Sequence, residues 1–310
     1  MATFEHYRHQ FSDTVRDLAG DPMRAILPEF VEMDNQQGSV VYLDSVGGGD
    51  DLSESDLTAK ATRKSYEADN SPTLAKWNAI HTPHEEITKE RTLAKPKLLE
   101  WGHTFDEDED LLEVVDPTNK TVRQGMRKLF KLKDKLIIDA IKAASVSRVT
   151  SSSTDEISPV TVSLPGGQAI DSAANDVITL TDLTHIRELF EDQYVDDNIF
   201  ALISPKMKRI IIDNNDKVHD TDFVSRAGYF EAGMLPDIYG ISFLTHPQVE
   251  DDKIYAFSRE AIVWNQFKGL ESSLSRVPEY REGVQAYIRE KADAKRVDDK
   301  KVVHLTMTSA

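Results

Sequence analysis

The sequence predicts an α+β chain drawn out along one long helix, and three observations carry that expectation. The first is the helix itself, from Thr121 to Ala144. Val122, Met126, Leu129, Phe130, Leu136, Ile137, Ile141 and Ala144 recur on one face at the helical period. Arg127, Lys128, Lys131, Lys135 and Lys142 gather on the other. The second is that the chain ahead of the helix never settles into a compact pattern. The third is a change of character at Val160, after which short apolar strands alternate with capped helices. A helix of that length rises roughly 36 Å, about the width of a small domain. With no βαβ unit before it, it reads as a brace in a flat, extended subunit.

Composition narrows the classes. The 310 residues suffice for one large domain or two ordinary ones, and 39% hydrophobic content supplies a core. A mean hydropathy of −0.45 leaves much of the chain polar. The balance of 37 basic against 54 acidic residues gives a net charge of −17. That argues against a tightly held nucleic acid, which needs a basic footprint, but it suits the wall of a container that must not stick to a packed polyanion. The same acidity also serves plain solubility. The absence of cysteine excludes disulfides, thiolate metal sites and cysteine nucleophiles, and leaves the redox compartment undetermined. Glu5, Arg8, Asp13 and Arg16 interrupt any signal-peptide core, and no uncharged apolar run is long enough to span a membrane as a helix. A soluble protein that stays where it is made is expected.

Residues 1 to 34 read as an N-terminal arm. Phe4, Tyr7, Phe11, Val15 and Leu18 give an amphipathic helix that stops near Gly20 and Pro22. A second apolar patch, Ile26 to Val31, is interrupted by Pro28. A helix this short is marginal alone and needs something to pack on. Residues 35 to 105 read as an extended β-hairpin loop. Its outgoing strand is Ser39 to Asp44, and its return runs from about Glu85 to Trp101, bent or placed at an edge by Pro83 and Pro96. Between them Gly47, Gly48 and Gly49 free the backbone, and the acidic, serine-rich Asp50 to Asp56 cannot bury itself. A hairpin so exposed requires a partner surface. Its candidate subunit contacts are Tyr42, Asp44, Trp77, Glu86, Lys89, Arg91, Lys97 and Trp101, the tryptophans as rigid apolar anchors.

Residues 106 to 156 hold the long helix. Asp106 to Asp110 reads as a solvated turn, because adjacent carboxylates point apart and rarely converge on one cation. Asp116-Pro117-Thr118 opens the helix, and the serine- and threonine-rich Ser145 to Ser158 reads as a linker. Residues 157 to 280 form a compact α/β unit. Its parts are a strand Val160 to Leu164, a helix Thr181 to Tyr194, a strand Ile199 to Ser204, a helix through Ile212 capped by Ser204, and strands Ile238 to Thr245 and Ile254 to Phe257. In residues 281 to 310, Val284 to Lys295 and Lys301 to Thr308 read as strands paired across the Asp298-Asp299-Lys300 turn.

Motifs for chemistry are scarce. The glycines at 47 to 49 open onto an acidic loop that would repel phosphate, and there is no nucleophile elbow. His81 and His84 have ligand spacing only on a helix, which Pro83 breaks, so they read as loop histidines. Asp213-Asn214-Asn215-Asp216 lacks the glycine and terminal glutamate of a calcium loop. No catalytic, metal or cofactor residues are assigned. The basic helix face reads as a solvated face or one that meets acidic neighbours, with nucleic acid as the alternative.

The order of these parts resembles the major capsid protein of tailed double-stranded-DNA bacteriophages, the Hong Kong phage capsid fold shared with encapsulin shells. The resemblance is carried by IFALISPKMKRIII (Ile199 to Ile212), AGYFEAGMLPDIYGISFLTHPQV (Ala227 to Val249), YAFSREAIVW (Tyr255 to Trp264) and the run from Val284 to Thr308. It implies an N-terminal arm, an extended loop, a spine helix from Thr121 to Ala144, an axial domain over residues 157 to 280 and C-terminal strands completing a peripheral domain. The implied role is structural: self-assembly into the hexamers and pentamers of an icosahedral shell around viral DNA. The implied partners are copies of the chain, a separate scaffolding protein, a portal, a decoration protein and DNA touched weakly, with no membrane. The implied places are the bacterial cytoplasm for synthesis and the virion. An encapsulin-like shell, an α/β enzyme with its site in residues 157 to 280, and a binding module built on the long helix are the competing readings.

Overall fold

The computed structural model describes residues 2–19, 25–35, 38, 41–47, 88–105, 120–150, 160–165, 167–172, 178–195, 198–214, 235, 237–277 and 283–307. The expected loop tip, the acidic run Asp106 to Asp110 with the Asp116-Pro117-Thr118 opening, His81, His84, Trp77 and Glu86 lie outside them. Helix α1 (Ala2–Ala19) buries Phe11, Val15 and Leu18. A 3₁₀ turn, Leu27–Phe30, and strand β1 (Glu32–Asp34) follow. The arm is thus folded onto its own chain, with Leu27 and Val31 in the same core as α1.

The spine helix, α2 (Lys120–Lys142), is present as the apolar period requires. Val122, Met126, Leu129, Phe130, Ile137, Ile138 and Ile141 are buried, and Leu136 packs partly against them. They cover one face of a four-stranded sheet ordered β1-β11-β12-β4. Its long members are β11 (Ile262–Val277) and β12 (Gly283–Arg296), and β4 (Lys97–Phe105) forms an edge. Alternation along β12 turns Val284, Ala286, Ile288, Ala292 and Ala294 toward the helix.

The loop's strands β2 (Val41–Gly47) and β3 (Thr88–Ala94) pair antiparallel, Val41 opposite Ala94 and Gly47 opposite Thr88. The return does not run on to Trp101 within one hairpin. It breaks at Lys95-Pro96, and β4 enters the central sheet against β12. Pro96 has no N–H for a ladder, and the Lys95 N–H is taken by Asp293 Oδ2 at 3.2 Å, so the break is built in. The expected linker is corrected too: Ser145–Thr150 is strand β5, paired with β3, and Val160–Ser163 is β6, paired with β5. The loop root is therefore a sheet ordered β2-β3-β5-β6, and the Val160 strand belongs there instead of in the compact unit.

That unit is a five-stranded sheet ordered β7-β13-β10-β8-β9. Its strands are β7 (Ala169–Asp171), β8 (Ile199–Ile203), β9 (Ile241–Thr245), β10 (Lys253–Ser258) and β13 (Val302–Thr306). Helices α3 (Leu180–Asp192) and α4 (Pro205–Asn214) share one core cluster against one face. A capping box of Thr179 and Asp182 starts α3, and Ser204 Oγ accepts the Met207 N–H to start α4. The C-terminal strands do not pair with each other. Arg296, wholly buried and ion-paired to Asp299 at 2.5 Å, turns the chain from the central sheet into this one, where β13 lies between β7 and β10.

Candidate assembly surfaces

The spine helix carries the basic stripe and joins the two sheets. Its middle is tied by Asp134, whose Oδ1 accepts the Leu27 N–H at 3.1 Å and whose Oδ2 lies 3.4 Å from His246 Nε2. His246 Nδ1 accepts from the Gln248 N–H, which leaves the ring proton on Nε2, aimed at the carboxylate. Lys133 reaches the buried Glu290 of β12 at 2.6 Å. Two carbonyls at and just past the helix end, which no helical N–H can satisfy, find partners from the sheets: Ile141 O accepts from His304 Nε2 at 2.9 Å, and Ala143 O from Arg296.

Lys142, placed by the sequence on the outer basic face, instead folds onto the turn before β10. It pairs with Glu250 at 2.9 Å and donates to Gln248 O at 3.2 Å. Burial raises the Glu250 pKa, but hydrogen bonds from Lys142, Tyr255 and its own backbone together hold it below the ordinary carboxylate value. Burial first, and Glu250 second, push the Tyr255 phenol up. The remaining basic residues, Arg127, Lys128, Lys131 and Lys135, are exposed along one side of α2.

The loop candidates separate. Tyr42 is exposed on β2, opposite Leu93. Asp44 stands in register with Arg91, and Lys89 with Val46, at the base of the loop. Lys97 is half-exposed and pairs with Asp293 at 3.2 Å. Trp101 lies over the spine helix at Gly125, where a Cβ would stand 2.4 Å from the indole. Sequence reasoning missed that contact, although a lone glycine inside a helical pattern is its signal. It missed Asp134 and His246 as well, because nothing local marks residues so far apart as partners.

The loop root and the basic stripe occupy opposite faces of the central sheet. Val263 and Val297 cluster with Val41, Leu43 and Ala94 of the loop root, whereas Trp264 and Ala294 cluster with α2. Successive residues of a strand point to opposite faces, so the sheet is a plate with the spine on one side and the loop root on the other.

A family model described as phage capsid protein matches residues 4–309. No curated protein matches the chain in sequence. Among solved structures, a chain of Mycobacterium phage Che8 superposes with a TM-score of 0.59 at 13% identity, covering 93% of each chain. A capsid chain of Cyanophage P-SCSP1u gives 0.60 at 14% identity, covering 92% of this chain and 89% of its own. A virus-like particle from Pyrococcus furiosus gives 0.57 at 10% identity, covering 96% and 99%. The fold is that of tailed-phage capsid shells, as the order of parts in the sequence implies.

Proposed function

The chain belongs to the phage capsid protein family, and from that premise we propose that its copies tile into the hexamers and pentamers of a closed icosahedral shell around double-stranded DNA. It is a structural major capsid protein, and its chemistry is that of contact and not of catalysis. The observation that carries the shell reading is the plate: a sheet stiffened by a tied spine helix on one face, with the loop-root strands β2 and β3 packed on the other. A loop rooted on a rigid tile can reach over a neighbour, and many weak overlaps summed around a shell give strong cohesion. The virion is the final location, and a bacterial cytoplasm the site of synthesis. A separate scaffolding protein sets curvature, with a portal and a decoration protein as further partners. Tyr42, Asp44, Lys89 and Arg91 at the loop root and Lys97 at the start of β4, with Trp77 and Glu86 in the loop, are the proposed neighbour contacts; Trp101 would act there through its seat on the helix.

Negative-stain imaging with sedimentation, on the chain expressed alone and with a candidate scaffolding protein, tests this directly. Closed shells of uniform curvature are expected, and a monomer under every condition would sink the reading. Deleting the loop tip, about Gly47 to Asn70, is expected to leave a folded monomer that cannot close shells. Normal shells from that deletion would show that the loop is not what joins the copies.

A further inference from the structure

Two tyrosines at one end of the five-stranded sheet stand against the local rules of their turns. Tyr194 follows α3 in a Schellman turn, with the Val195 N–H donating to Phe190 O at 3.0 Å and the Tyr194 N–H to Glu191 O at 2.9 Å. That turn takes a left-handed residue, usually glycine, yet Tyr194 holds φ at 55°. Tyr239 begins the tight turn between Ile238 and Ile241, whose cross-turn bonds are 3.2 and 3.0 Å. Its φ is 53°, beside Gly240 at 76°, where asparagine or glycine is the norm. Among the described residues Tyr194 is 93% exposed and Tyr239 48%, large apolar rings left facing outward.

The two belong to one surface. Arg187 Nη1 is the nearest atom to where a Cβ on Gly240 would stand, at 3.7 Å. Arg187 Nε also bonds Glu191 Oε1 at 2.7 Å, three residues before Tyr194. The patch lies where β8 and β9 begin, Ile199 beside Ile241, while the far end of β9 leads to His246 and the spine helix.

We infer that this patch seats against a second copy of this chain, an inference that rests on the shell reading above. Charge complementarity names the mating face. Helix α3 exposes Glu188, Glu191 and Asp192 beside the tyrosines, and α4, on the same side of the sheet, exposes Lys206 and Arg209. A head-to-tail contact sets the aromatic, acidic end of one copy against the basic helix of the next, and head-to-tail contacts that close generate rings. Tyrosine and arginine are the residue types that anchor such contacts.

The test uses the full chain. Tyr194→Asn and Tyr239→Asn, alone and together, place a residue that tolerates the left-handed backbone. The thermal midpoint is expected to stay level or rise while the particle fraction in sedimentation falls about tenfold in the double variant. Particles at the wild-type level would overturn the inference, and so would a fall in the midpoint that accounts for the lost particles. Lys206→Glu with Arg209→Glu is expected to cause the same loss. Adding Glu188→Lys and Asp192→Lys to that chain is expected to restore particles, and no restoration would overturn the mating face. Failure of the unaltered chain to form particles would count against the shell reading instead.

Discussion

His304 lies beneath the end of the spine helix, its Nε2 proton held by the Ile141 carbonyl and its ring edge-on to Tyr255 at 4.9 Å between centroids. Burial carries its pKa from 6.5 down to about 4, against the Ile141 hydrogen bond and with help from the charges of Arg296 and Lys253. The unfolded chain therefore binds more protons than the folded one between those two values. The stabilisation is whole above about pH 6.5 and drains as pH falls toward 4, a swing on the order of 3 kcal/mol. Glu250, depressed below 4.5, adds its loss only at lower pH. His304→Gln is expected to flatten the fall in denaturant midpoint between pH 6.5 and 4. Overlapping profiles for the two proteins would place the acid sensitivity elsewhere.

Among the elements, α2 carries the clearest case of a sequence rule broken for a reason. Glycine inside a helix costs about 1 kcal/mol relative to alanine. At Gly125 that cost makes room for the Trp101 ring, which ties β4 to the helix. Gly125→Ala regains the propensity but drives a methyl into the ring, with overpacking costing about 1–3 kcal/mol. A net loss of roughly 1 kcal/mol is expected in thermal or urea unfolding. An unchanged or raised midpoint would mean that the ring swings aside at little cost. The helix was legible because its period is local, and so were α3 and α4, whose caps lie within three residues of their starts. The pairing of strands was not. Val284 to Lys295 and Lys301 to Thr308 look like a hairpin in sequence, yet β12 there pairs with β11 and β4, and β13 with β10 and β7. Alternation says which face of a strand is buried and nothing about which strand lies beside it. The candidate contacts were legible as residue types only: Lys142 and Trp101 belonged to the inner joints, while Tyr42 and Lys131 remained outside.

As a whole, the molecule presents two unlike faces. One bears the loop root, and the other the exposed Arg127, Lys128, Lys131 and Lys135 on a chain of net charge −17. On the shell reading, a short basic stripe in an acidic wall is expected to make weak, salt-sensitive contact with packaged DNA. Lys128→Glu, Lys131→Glu and Lys135→Glu together are expected to leave shell yield unchanged. They are also expected to lower the share of DNA-filled particles, more so at low salt. A fall in shell yield itself would assign the stripe to a neighbouring copy. The topology also carries a consequence in time. The central sheet needs β12 for both β11 and β4, and the other sheet needs β13 between β7 and β10. Spine-helix joints reach forward to His246, Glu250, Arg296 and His304. A chain emerging from the ribosome therefore holds two open sheets and a helix with unmet carbonyls until residue 306 has been made. Non-local contacts of this kind form late. On the shell reading, subunits are expected to become competent to join one another only after these strands have been made, so that the order of the strands would act as a clock against premature assembly.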